Sequence, residues 1–246
     1  MRYPLVAFFA LIPFGLLGQP GMRSVEELID TKDSAWKLIL EWKSAASNQV
    51  EILPRDESRA REALFQTQVT TRSPMGAMVY ESGGVLVDGG WIRILGSGSQ
   101  RFVRSLPSWN EGKTMGEYGM TSGYLLVADD AVGGFFAING GSLGKKKPGT
   151  IYYLSPDNLE WESLDLSYTR FIQFCFSGDL NQFYKGLRWK EWKLDVSKLS
   201  PDRAFSFAPP LFTKEGKDIE KDSRRGVPAE ELWQLQMSFR TQLGIK

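Results

Sequence analysis

Two aspartates stand side by side in "YLLVADDAVGGFFAING", Tyr124 to Gly140, shortly before a pair of glycines. Paired carboxylates are the groups that do general acid and base work in glycoside hydrolysis. There they converge on one bond from about 5 to 9 Å apart. Consecutive strand residues point to opposite faces of a sheet, so Asp129 and Asp130 meet that demand only if both sit in the turn. Aspartates ahead of Gly-Gly also serve a local purpose, because their side chains accept hydrogen bonds from nearby backbone N–H groups. The pair is therefore read first as part of a hairpin, with partner contact and catalysis as the alternatives.

A second set surrounds Gly89-Gly90 in "GGVLVDGGWIRILGSG": Asp88, Trp91 and Arg93. A carboxylate, an aromatic ring and a cation on one sheet face suit recognition of a sugar or a peptide. The plainer expectation is that helices cover this face, with Arg93 paired to Asp88 and Trp91 packed. Eight tryptophans need burial somewhere, and large aromatic rings dominate cores.

Composition narrows the chemistry further. The chain holds no histidine and a single cysteine, Cys175. A Ser-His-Asp triad, a Cys-His dyad and a His- or Cys-ligated metal site are thereby excluded, as is an intramolecular disulfide. An enzyme built on this chain would use Asp, Glu, Lys, Arg, Tyr or Ser, or a hard metal held by oxygen ligands. Neither a cofactor nor a metal is expected. Cys175 shares an apolar helix face with Phe171 and Phe174, which marks an inert, buried thiol. "GSGSQR" and "GGSLGKKKPG" do not match the phosphate-loop spacing, and Lys145 to Lys147 read as an exposed hairpin tip. Thirty basic against 29 acidic side chains give a net charge of +1, so no strong field draws in nucleic acid.

The elements that must hold these residues follow from spacing. At the start, Arg2 precedes an apolar run from Leu5 to Leu17 and a small residue, Gly18. That run is short for a bilayer span and reads as a secretory signal over residues 1–18, leaving no stable membrane anchor after cleavage. Export to the periplasm or the medium is expected, with one domain over 19–246. Ser24 and Glu27 form a capping box. A second helix begins near Ser34, with Trp36, Ile39 and Leu40 on one face and Leu38 and Trp42 on another. "VEILP" is a strand, and Asp56 caps a helix with Ala60, Ala63 and Leu64 inward.

After Pro74, "AMVYES" reads as the first of a series of strands. A Gly89-Gly90 turn sets Val87 opposite Ile92 and Val85 opposite Ile94, giving a dry face and a mixed one. Leu106–Gly123 reads as a long surface loop. Two more hairpins follow, the last around Pro156-Asp157. Ser167 and Asp179 cap helices. Residues 200–227 read as a charged irregular segment, before a final helix whose buried face carries Leu232, Leu235 and Phe239. The whole is α+β: an antiparallel meander of hairpins packed with N- and C-terminal helices.

Three of these stretches, "GGVLVDGGWIRILGSG", "GYLLVADDAVGGFFAINGG" and "GTIYYLSPDNLEWESLDLSYTRFIQFCFSGD", occur in the order found in the bacterial DUF2625 family. The chain resembles that family from about Trp36 onward. The order of an acidic turn, a hairpin and a Phe-rich helix also resembles the SUKH (SMI1/KNR4-like) group. That likeness implies an α+β fold and, through its many toxin-binding immunity proteins, a protein partner. The DUF2625 resemblance brings no catalytic residues with it. The leading expectation is a non-enzymatic exported module that binds a protein partner or a glycan, with Asp88, Trp91, Arg93, Asp129 and Asp130 as candidate contacts. The alternatives are a histidine-free enzyme using Asp88, Asp129 or Asp130 on envelope or extracellular glycans, and a carbohydrate-binding module using Trp91 or Trp109.

Overall fold

Local signals open the helices. In the computed structural model, which describes residues 21–115 and 123–245, Ser24 and Glu27 close the expected capping box of α1 (Val25–Leu28). The signal segment expected over residues 1–18 lies outside the described residues. Helix α2 spans Trp36–Ser44 and buries Ile39. Asp56 caps α3 (Glu57–Thr67), whose Ala60, Ala63 and Leu64 are buried.

The next helix corrects the sequence reading. "AMVYES" is not a strand: Ser73 caps α4 (Pro74–Glu81) by accepting from the Gly76 N–H, with Pro74 in the first turn. Gly76 to Tyr80 are all buried, so the periodicity that marks a half-exposed helix is missing. Each expected face of α2 loses a member: Leu40 of the first is 43% exposed and Leu38 of the second 42%, while Trp36 and Trp42 pack against the core.

The main sheet is a meander in which each strand pairs antiparallel with the next. It runs through β1 (Val50–Leu53), β2 (Gly84–Val87), β3 (Ile92–Leu95), β4 (Tyr124–Asp130), β5 (Phe135–Asn139), β6 (Thr150–Leu154) and β7 (Trp161–Ser167). Register at the Gly89-Gly90 turn is as expected, with Val87 opposite Ile92 and Val85 opposite Ile94. The mixed face is not half-open, however: every residue of β2 and β3 is buried. Within Leu106–Gly123, the stretch read as a surface loop, Ser105 and Ser108 cap the short α5 (Leu106–Asn110). Its Leu106, Pro107, Trp109 and Asn110 are buried. Asn110 takes over where pairing of β3 with β4 ends at Ile94–Ala128. Its amide accepts from the Leu126 N–H and donates to the Leu126 carbonyl, each at 2.8 Å. An otherwise orphaned backbone pair is thus satisfied.

Both faces of the sheet are covered. On one, Phe136 packs on Phe171 of α6 (Tyr168–Ser177), with ring centroids 4.9 Å apart. Here α7 (Leu180–Phe183) adds Phe183 against Tyr153. On the other, Phe135 meets Trp109 and Trp233. After α8 (Trp192–Ser197), residues 200–227 are not an irregular segment. They contain β8 (Arg203–Ala208) and β9 (Ser223–Pro228), which form a second, two-stranded sheet. The last helix, α9 (Ala229–Leu243), turns Leu232, Trp233, Gln236 and Arg240 inward, while Leu235 is 39% exposed. Its buried face is therefore rotated from the one its leucines suggest. Among the described residues, no helix is long and apolar enough to cross a membrane.

Candidate functional site

Strand β4 sends its two aspartates to opposite faces, as alternation requires. Asp129 lies directly across from Arg93 in the β3–β4 register. Arg93 Nε donates to Asp129 Oδ1 at 2.6 Å, and both side chains are sealed from solvent. Arg104 donates to the other oxygen, Asp129 Oδ2. Arg104 is itself held by Asp202 and by the Pro201 carbonyl, and stacks on Trp109 at 4.4 Å. One carboxylate therefore ties two arginines, three elements and a ring together.

Asp130 has a different set of partners. Its Oδ1 accepts from the Gly134 N–H at 2.6 Å. Its Oδ2 accepts from Tyr153 at 2.8 Å and Tyr184 at 3.1 Å. The glycine pair after it is needed for this arrangement. Gly133 takes φ 99°, and a Cβ on Gly134 would collide with the Tyr153 ring. Burial raises the Asp130 carboxyl above its ordinary range, against the opposing pull of Tyr153, the Gly134 N–H, the Arg93 charge and Tyr184. Burial, and then the Asp130 charge, push both tyrosines well above theirs.

Asp88 is the more accessible carboxylate. It begins the tight turn Asp88–Gly90 and pairs at 2.7 Å with Arg188, whose side chain is 8% exposed. The Arg188 guanidinium lies 4.0 Å from the centroid of Trp192, 4.9 Å from Trp91 and 5.2 Å from Tyr184. Trp91 is fully buried and packs edge-on against Tyr184 and Trp192. Asp88 and Arg188 line a cleft of about 400 Å³ with Asn48, Asp179, Asn181 and Lys193. A cation among three rings is stabilised by their quadrupoles.

Of the five candidate residues, Asp88 and Trp91 meet around Arg188, Arg93 joins Asp129, and Asp130 reaches the Trp91 cluster through Tyr184. Arg93 is paired to Asp129 rather than to Asp88, the partner expected from the hairpin alone. The rings of Trp91 and Trp109 are 0% and 2% exposed. Neither offers a stacking surface to a sugar, which removes the basis for a binding module built on them. Arg104, Tyr153, Tyr184 and Arg188 were not singled out from the sequence as site residues. Nothing local announces that Arg188 meets a carboxylate 100 positions away. Among the described residues no group of acidic or thiol side chains is arranged to hold a metal ion. Cys175 is buried, and burial holds its thiol well above its ordinary range.

A family model described as "Protein of unknown function DUF2625" matches residues 25–232. The chain is 44% identical to the uncharacterised protein YbfG of Escherichia coli (strain K12) over 219 residues, covering 89% of this chain and 98% of that protein. It is 41% identical to an uncharacterised protein of Haemophilus influenzae over 224 residues, covering 91% and 98% of the two chains. No solved structure matches.

Proposed function

The chain belongs to the DUF2625 family, and from that premise we propose that it is a non-enzymatic binding module, exported from the cell, that engages a protein partner at the Asp88–Arg188 cleft. The observation that carries this reading is the divergence of the carboxylates. Asp129 and Asp130 lie on opposite faces of the sheet, and every oxygen of both already accepts a hydrogen bond. A general acid and base must instead reach one reacting group together. The cleft at Asp88 suits recognition: polar side chains surround a guanidinium held rigidly by rings, and rigid charged anchors lose little entropy on binding. Export rests on the apolar run from Leu5 to Leu17. A protein partner of the immunity type rests on the SUKH-like order of turn, hairpin and Phe-rich helix.

Crosslinked pull-down from the native host tests the central reading. A partner should be captured by the wild type and lost with Arg188→Ala, and the mature chain should begin at Gln19. Capture unaffected by that variant contradicts the placement of the face.

A second reading is a histidine-free carboxylate-dependent enzyme acting on envelope or extracellular glycans. It draws on Asp88 and Asp179 lining the same cleft. Turnover of a glycan by the purified protein, lost with Asp88→Asn or Asp179→Asn while the fold persists, would establish it. Against it, Asp179 is engaged in capping α7 and Asp88 in its ion pair.

A further inference from the structure

Of the eight tryptophans, five are buried: Trp91, Trp109, Trp189, Trp192 and Trp233. Trp161 is different. It is the first residue of the edge strand β7 and is half-buried, as is Tyr124 at the start of β4. Their rings stand 5.5 Å apart, tilted by 57°. Together they line a cleft of about 690 Å³ whose other walls come from the β5–β6 connection and from α9. It shares no residue with the Asp88–Arg188 cleft.

The walls are held in place by hydrogen bonds. Asn139, buried at the end of β5, accepts from the Gly141 and Leu143 N–H groups at 2.8 and 3.1 Å. It also donates to the Lys146 carbonyl at 2.9 Å. These bonds fix Ser142 and Leu143 along one side of the cleft, with Ser142 exposed. On the α9 side, Arg240 is 8% exposed and donates to the Leu159 carbonyl, which pins it to its wall. Glu160 is exposed at the rim and interacts with the Arg240 charge. One acid and one base line the cleft, so their charges offset. A site preformed in this way has little ordering cost to meet on binding.

We propose that this cleft binds a neutral saccharide, with one pyranose ring laying its C–H face on Trp161 beside Tyr124 and its hydroxyls meeting Glu160 and Ser142. A pyranose has two kinds of surface. Its ring C–H bonds carry partial positive charge, which suits the electron-rich face of an aromatic ring. Its hydroxyls both donate and accept, and Glu160 supplies acceptor oxygens while Ser142 takes either role. Aromatic walls with a few polar groups are the usual lining of a small-ligand site. A wholly apolar ligand would strand those polar groups, and the offset charges favour neither an acid nor an amine. Failure of this site leaves the proposed protein partner standing, because the two clefts have separate residues.

Saturation-transfer NMR on the full chain tests it. The neutral probes are maltose, cellobiose and N,N′-diacetylchitobiose, with glucuronate as a charged sugar and sorbitol as an open-chain control. At least one neutral disaccharide should bind saturably, with its strongest transfer at ring C–H protons. Sorbitol has the hydroxyls without the rigid C–H face and should not saturate. Trp161→Ala should weaken binding by about tenfold, equivalent to about 1.4 kcal/mol. Glu160→Ala should weaken it by about threefold, and this exposed position carries the decision if Trp161→Ala fails to fold. Saturable binding by none of the neutral sugars, equal binding of sorbitol, or preference for glucuronate each overturns the saccharide site. So does indifference to Glu160→Ala, or to Trp161→Ala in a folded chain.

Discussion

Asp129 and Asp130 are identical side chains on adjacent residues of one strand, and the fold gives them opposite surroundings. Asp129 faces two arginines, one on each of its oxygens. Asp130 faces two tyrosines and a backbone N–H, with burial raising its proton affinity. The difference shows how little a pair of adjacent acids implies about joint chemistry when the backbone is extended. A sheet separates what the sequence joins. Each aspartate instead fastens a different layer to the same strand: Asp129 reaches α5 and the Asp202 turn through Arg104, while Asp130 reaches the α6–α8 side through Tyr184 and Trp91.

The widest gap between the two should appear on deletion. Asp129→Ala leaves the buried Arg93 guanidinium without its counter-charge, while the half-buried Arg104 keeps Asp202, and breaking such a buried pair costs about 3–5 kcal/mol. Urea denaturation should show that loss, and a change below about 1 kcal/mol would mean that water reaches the arginines. On the other face, Tyr153→Phe or Tyr184→Phe removes one donor to Asp130 while keeping the ring. Each should cost about 1–2 kcal/mol, and the pair together more than the sum, since either tyrosine alone still satisfies Asp130 Oδ2 and losing both leaves a buried oxygen unmet. Strict additivity would show that the tyrosines do not act through the same carboxylate. The smallest effect belongs to Asp88→Asn at the rim. Its ion pair is partly exposed, so stability should move by less than about 1 kcal/mol, while capture of a partner should fall.

Acidity sharpens the same contrast. With its folded value raised, Asp130 keeps its proton in the native chain at pH values where the unfolded chain has released it. Its contribution to stability is therefore fully present below the ordinary aspartate value of 3.8. It is lost as pH rises from there through the raised native value. Asp130→Asn should flatten that part of the stability profile. A profile unchanged by the variant would remove Asp130 as its source.

Much of the scaffold was legible because its signals are local. The register of Val85 and Val87 against Ile94 and Ile92 followed from two glycines, and the Ser24, Asp56 and Ser167 caps from residue type and spacing. Helix α4 was misread as strand because its buried run, Gly76 to Tyr80, has no exposed face to set a period. The Ser73-Pro74 start signal was present all the same. The inward face of α9 was hidden for another reason. Gln236 is buried because it donates to the Gly133 carbonyl, and Arg240 because it donates to the Leu159 carbonyl, bonds made across 103 and 81 positions. The pairing of β8 with β9, from Arg203–Pro228 to Ala208–Ser223, likewise joins a Pro- and charge-rich segment to itself over a distance that periodicity does not span. At the site, the candidate aspartates and the Trp91–Arg93 pair could be named in advance. Their partners Arg104, Tyr184 and Arg188 could not, since they meet these aspartates across 25, 54 and 100 positions.

The most direct test of this division of roles is a carbon-detected NMR titration of the Asp130 carboxyl in the intact protein. A midpoint clearly above 3.8 is expected, moving when Tyr153 or Tyr184 is replaced by Phe. A midpoint at or below that value, unmoved by either replacement, would contradict that division.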